Sequence, residues 1–209
     1  MYRPEKYIKD DKDFVFSFIQ ENPFASFIMN GERLLGTHIP VLTEGDEKEW
    51  ILYSHMAKHN EQAALLKDGA DALIIFHGPH AYISSSWYRE KDISTWDYTA
   101  VHVNAKIRMQ TREELESSLE KLVQQFEKDQ ERPLYYKDLP EKMLDDHLPL
   151  ITGFWLEPFK VEGVAKLHQS YSANDVAAVT NKLGDSRNCM HRQLGEEIKS
   201  EHKNIKNRK

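Results

Sequence analysis

Three stretches of the chain carry residue types that could do chemistry. Ser54-His55-Met56-Ala57-Lys58-His59-Asn60 reads as the end of a strand and the start of a helix. Backbone N–H groups free at such a junction, with Ser, Lys and His beside them, suit a phosphate; a solvated turn is the plainer alternative. His77-Gly78-Pro79-His80-Ala81-Tyr82-Ile83-Ser84-Ser85-Ser86-Trp87-Tyr88 places flat, amphipathic rings after a Gly-Pro step. Such rings hold a planar ligand or fill a core or a subunit interface, and the residues alone leave both readings open. Thr95-Trp96-Asp97-Tyr98-Thr99-Ala100-Val101-His102 adds two more aromatics, and strand alternation puts Trp96, Tyr98 and His102 on one face, opposite Val101 and Val103.

Other chemistries find less support. His55, His59, His77, His80 and His102 invite a metal, and His55 and His59 have the spacing of a helical pair. No Glu follows His55, as a zinc-protease helix requires, and there is no Cys-x-x-Cys element, so no metal centre is expected. Haem ligation by one of these histidines stays open. Serine-nucleophile, Walker and Rossmann patterns are absent. Cys189, among Arg187, His191 and Arg192, reads as an inert thiol on a terminal helix.

The elements that must position these stretches follow from periodicity. Residues 10–22 read as a helix stopped by Asn22-Pro23. Phe24–Met29, Leu34–Leu42 and Trp50–Ser54 read as strands of a meander, and Asn60–Leu66 as a short helix. Ala72–Phe76 is an apolar run suited to a strand buried on both faces, with Gly78-Pro79 breaking the chain after it. Tyr98–Met109 alternates with Val101, Val103, Ala105, Ile107 and Met109 inward. Thr111 and Glu114 make a capping box for a helix whose apolar stripe runs from Leu115 to Phe126. Ile151–Val161 is a late strand, paired with Val164–Gln169 across Glu162-Gly163. Helices follow from Ser172 or Asn174 to Leu183 and over 186–203. Short strands interleaved with helices argue for an α+β fold, with a closed or partly closed antiparallel β-barrel removing most exposed edges.

The 209 residues suffice for one sizeable core. A single cysteine fits a reducing compartment, Met1–Lys6 lack a signal peptide's apolar run, and no stretch approaches the roughly 20 apolar residues of a membrane span. The expectation is a cytoplasmic protein with no membrane association. A net charge of −6 argues against sequence-independent DNA binding by the whole surface. Residues 185–209 differ, with Lys or Arg at 187, 192, 199, 203, 206, 208 and 209 against acids at 185, 196, 197 and 201. This basic tail is a solvated helix face or, alternatively, a weak nucleic-acid arm.

The strings at 77–88 and 95–103, with Thr37-His38-Ile39-Pro40, His55-Met56-Ala57 before Asn60, Thr152-Gly153-Phe154 and Lys166-Leu167 before Gln169, resemble the PaiB family. That family comprises FMN-binding split-barrel proteins regarded as negative transcriptional regulators of protease production and sporulation. The resemblance implies a split-barrel domain over 1–183, a C-terminal helical tail over 184–209, and a homodimer with FMN at the subunit interface. It places His55, Met56, Ala57 and Asn60 near the ribityl phosphate. His80, Tyr82, Ser84, Trp87, Trp96 and Tyr98 would wall the ring, and Lys166 and Gln169 would approach from a late segment. An FMN-dependent oxidoreductase and a haem-binding protein are the alternative functions. The chain departs from the family pattern at Ser85, at His168 and Ser170, and after Asp175, where an arginine is usual.

Overall fold

The computed structural model describes residues 1–89 and 92–207. Over the described residues the chain shows a seven-stranded antiparallel sheet with five α-helices, an α+β split barrel. Asp11 opens α1 (Lys12–Glu21) by accepting the Phe14 N–H at 3.0 Å. Asn22 then closes it, its N–H returning to the Phe18 carbonyl before Pro23. The strands are β1 (Phe24–Asn30), β2 (Leu34–Pro40), β3 (Leu42–Gly45), β4 (Trp50–Ala57), β5 (Asp71–Ile83), β6 (Thr95–Met109) and β7 (Ile151–Lys166). The remaining helices are α2 (Arg112–Glu127), α3 (Glu141–His147), α4 (Ala173–Gly184) and α5 (Cys189–Asn207). Thr111 caps α2 with the reciprocal Glu114 contact expected of a capping box.

The sheet order is β2-β1-β5-β6-β7-β4-β3. The meander expected of the first three strands is therefore not formed. β1 pairs with β2 and β5, while β4 pairs with β3 and β7. Two long strands also correct the reading of local breaks. Gly78-Pro79 does not end β5; burial instead changes phase there, running Ala72, Ile74, Phe76 and Gly78, then Ala81 and Ile83. Leu73 and Ile75 are only half-buried, so β5 has one well-buried face rather than two. Glu162-Gly163 does not turn either: β7 runs straight through to Lys166.

The chain divides into two compact units. The first comprises residues 1–15, 77–101 and 162–209. Its core gathers Ala81, Ile83, Ala165 and Leu167 from strand ends with Val176, Val179 and Leu183 of α4 and Leu194 and Ile198 of α5. Helix α5 thus contributes two fully buried side chains, each worth about 1.5–3 kcal/mol of apolar burial. Arg208 and Lys209 of the basic tail lie outside the described residues. The second unit comprises residues 16–76 and 102–161. Phe27 and Phe154 pack there with ring centroids 5.2 Å apart, among the buried Leu52, Ile74, Phe76 and Leu156.

Candidate functional site

In the first unit, strand alternation sets the chemistry. β6 buries Asp97, Thr99 and Val101 and turns Trp96, Tyr98 and His102 the other way, as its period of two requires. Trp96 and Tyr82 each remain 50% exposed. The indole Nε1 of Trp96 donates to His80 Nδ1 at 3.2 Å, which puts the His80 proton on Nε2. Ring centroids lie 5.7 Å apart for His80 and Trp96 and 6.2 Å apart for Tyr82 and Trp96. The three rings form an open aromatic ledge.

Lys166, the last residue of β7, is drawn to the same strand. Its Nζ donates to the Trp96 carbonyl at 3.0 Å and to the Thr95 hydroxyl, and lies 3.9 Å from Asp97 Oδ1. Other expected site residues serve the local backbone. Gln169 spans its own turn, accepting from the Leu167 N–H at 2.9 Å and donating to the Ala165 carbonyl at 2.6 Å. Ser84 caps the 3₁₀ turn Ser85–Trp87 by accepting from the Ser86 N–H. Trp87 rests partly buried against the α4–α5 core rather than on the ledge.

In the second unit, His55, Met56 and Ala57 lie on β4, opposite Gly153, Thr152 and Ile151 of β7. Met56 is buried and His55 half-buried. Asn60 caps the 3₁₀ turn Glu61–Leu65, its Oδ1 accepting the Gln62 N–H at 2.9 Å while its Nδ2 donates to Thr37 Oγ1 at 3.1 Å. Lys58 and His59 are exposed beside it. Burial pulls the His55 pKa down, because an apolar setting disfavours the imidazolium. A depressed folded value means that the unfolded chain binds the proton first as pH falls. Its stabilising contribution is complete above the ordinary histidine value of about 6.5 and is lost as pH drops through the lower folded value. Urea unfolding of His55→Gln on either side of that window is expected to show a shallower acid loss than the parent chain.

Sequence reasoning missed one constellation. Asp97 is fully buried and bonds through Oδ2 to Nδ1 of His168, which is 2% exposed. Lys166 is the cation nearest to Asp97 Oδ1, which has no hydrogen-bond partner. The clue was available, since Asp97 shares the parity of Val101 and Val103, and an acid on a buried face needs a partner. Its partner lies 71 residues away, where no spacing rule reaches. Among the described residues, no three His, Cys, Asp or Glu gather as a metal site, and no helix is long and apolar enough to cross a membrane.

The seven-stranded sheet defines an α+β split barrel by class, and its first unit carries the exposed aromatic ledge. Residues 1–160 match the family described as "Putative FMN-binding domain", and the chain belongs to that family. The family match supports FMN as a ligand of this fold. The chain is 30% identical over 197 residues to "Protease synthase and sporulation protein PAI 2" of Bacillus subtilis (strain 168), covering 94% of this chain and 95% of that one. Among solved structures it is similar to the FAD and heme binding protein from Mycobacterium smegmatis, with a TM-score of 0.62 at 15% identity over 82% of this chain and 80% of that one. The flavocytochrome Anf3 from Azotobacter vinelandii follows with a TM-score of 0.57, also at 15% identity, over 85% and 78% of the two chains. At that identity the likeness shows the fold.

Proposed function

We propose that the protein is a cytoplasmic, homodimeric FMN-binding regulator that represses genes of the protease-production and sporulation type. The observation that carries the flavin part is the His80–Tyr82–Trp96 ledge, whose two largest rings keep half their surface open beside a family match to an FMN-binding domain. Flat, partly solvated indole and phenol faces fit a planar isoalloxazine. In this reading His80, Tyr82, Trp96 and Tyr98 take the ring, with Ser84, Trp87, Lys166 and Gln169 around them. His55, Met56, Ala57 and Asn60 take the ribityl-phosphate end, where Asn60 and Thr37 supply polar groups. A neutral His55 would serve the phosphate as a hydrogen-bond donor rather than a charge. Bound FMN would supply one- and two-electron chemistry; the chain's own residues bind and orient it. The regulatory role rests on the name of the Bacillus subtilis relative.

Purified protein reconstituted with FMN is expected to show flavin absorbance and a saturable fluorescence titration. Trp96→Ala should weaken binding roughly ten- to hundred-fold, the worth of one lost aromatic stack. A haem Soret band instead, or unchanged affinity in Trp96→Ala, would overturn the ring assignment. Light scattering tests the dimer, and a gel shift at physiological salt tests direct promoter contact.

A further inference from the structure

His168 is the only non-glycine residue with a positive φ, +61°, among the described residues. An L residue stays in the left-handed region only where its surroundings over-determine it, and such sites cluster at functional positions. Here four contacts converge. Nδ1 bonds the buried Asp97 carboxylate, and Nε2 lies 3.0 Å from the Tyr88 hydroxyl. The ring stacks on Tyr171 at 4.1 Å, and the backbone carbonyl accepts from His202 Nε2 at 2.9 Å. An ionised carboxylate only accepts, so Nδ1 carries a proton; in the neutral ring Nε2 is then the acceptor, and the Tyr88 O–H donates to it.

Tyr88 does not release that proton unaided. Burial, then its neighbour Tyr171 and the charges of Asp97 and Asp92, hold the phenol well above its ordinary value. Oxidation changes the balance, because a phenol that loses an electron becomes a strong acid. A base already in hydrogen-bond contact, backed by a carboxylate, lets the proton and the electron leave together. The rings of Tyr88 and Tyr171 stack at 5.3 Å and border a cavity of about 410 Å³ that Lys6, Asp92 and Ser170 also line.

We propose that Tyr88 is a redox-active tyrosine, donating one electron to a small oxygen-centred radical that enters this cavity while its proton passes to His168. The phenolic O–H bond breaks, and an N–H bond forms at Nε2. The electron reduces the radical to its anion, which takes a proton from solvent. The products are a Tyr88 phenoxyl radical and a His168 imidazolium paired with Asp97. The inference does not depend on bound flavin.

The test is pulse radiolysis of the full chain without FMN, with the carbonate radical anion as probe and phenoxyl absorbance as readout. The parent chain is expected to give a fast-forming, long-lived phenoxyl component that Tyr88→Phe lacks. The exposed Tyr2 and Tyr82 supply the background common to both. His168→Gln should slow that component about ten-fold, the worth of one hydrogen bond to a group that becomes charged. Should His168→Gln misfold, His168→Asn replaces it, since asparagine tolerates the left-handed backbone and removes the base. Equal signals in the parent and Tyr88→Phe, or undiminished rates in a folded His168 variant, would overturn the proposal.

Discussion

Asp97→Ala is expected to unfold the first unit roughly 1–3 kcal/mol more easily than the parent chain, the usual cost of leaving a buried hydrogen-bond donor without its partner. The carboxylate is fully buried, accepts from His168 Nδ1 and is the nearest anion to Lys166. Without it the imidazole N–H has no acceptor in a dry setting, and the lysine keeps only neutral oxygens. Asp97→Asn keeps an acceptor and should lose less than half as much. Urea unfolding followed by far-ultraviolet circular dichroism reads both. A loss in Asp97→Ala under about 1 kcal/mol, the range of an exposed pair, would show that Asp97 and His168 are not coupled.

Gly163→Ala is expected to be nearly as damaging, for a steric reason. A Cβ at this position would lie 1.9 Å from the Lys9 carbonyl oxygen, a backbone atom that cannot swing away. The glycine also exchanges backbone bonds with the N-terminal segment. Its carbonyl accepts from the Lys9 N–H at 3.1 Å and from Arg3 Nη1 at 3.1 Å, and its N–H donates to Asp10 Oδ1 at 2.8 Å. The variant should lose about 1–3 kcal/mol or more, as overpacked sites do, and should shed hydrogen-exchange protection at the Lys9 amide. Retained protection there would refute the account.

That same glycine shows where local reading stopped. Glu162-Gly163 has the chemistry of a turn, and Gly78-Pro79 that of a break, yet both lie inside long strands. At Gly163 the lost side chain makes room for another stretch of backbone, which no local pattern reveals. At Gly78-Pro79 the strand absorbs the disruption as a one-residue phase change in burial. Elements decided by near neighbours were legible: the Thr111–Glu114 cap, the stop at Asn22-Pro23, and the alternation of Val101, Val103, Ala105 and Ile107. Strand order was not, because β4 finds β7 about a hundred residues downstream, and hydrophobic period says nothing about partner. Only the β6 part of the ledge was legible, since parity alone places Trp96 on the face opposite Val101. Its hydrogen bond from Trp96 to His80 needed the neighbouring strand. Trp87, in the same run of aromatics, went to the helical core instead.

Helix α5 sorts its charges by side. Glu201 bonds Lys9 at 2.8 Å and Glu197 bonds the buried Thr99 at 2.6 Å, so two of the segment's four acids are spent inward. Arg187, Arg192 and Lys203 stay exposed to solvent. Counting residues over 185–209 therefore understates how cationic the outer surface of this segment is. A helix can present a face more cationic than its composition when part of its opposite charge is sequestered as structural ligands, and titrations of bulk charge would report the average rather than the face a partner meets.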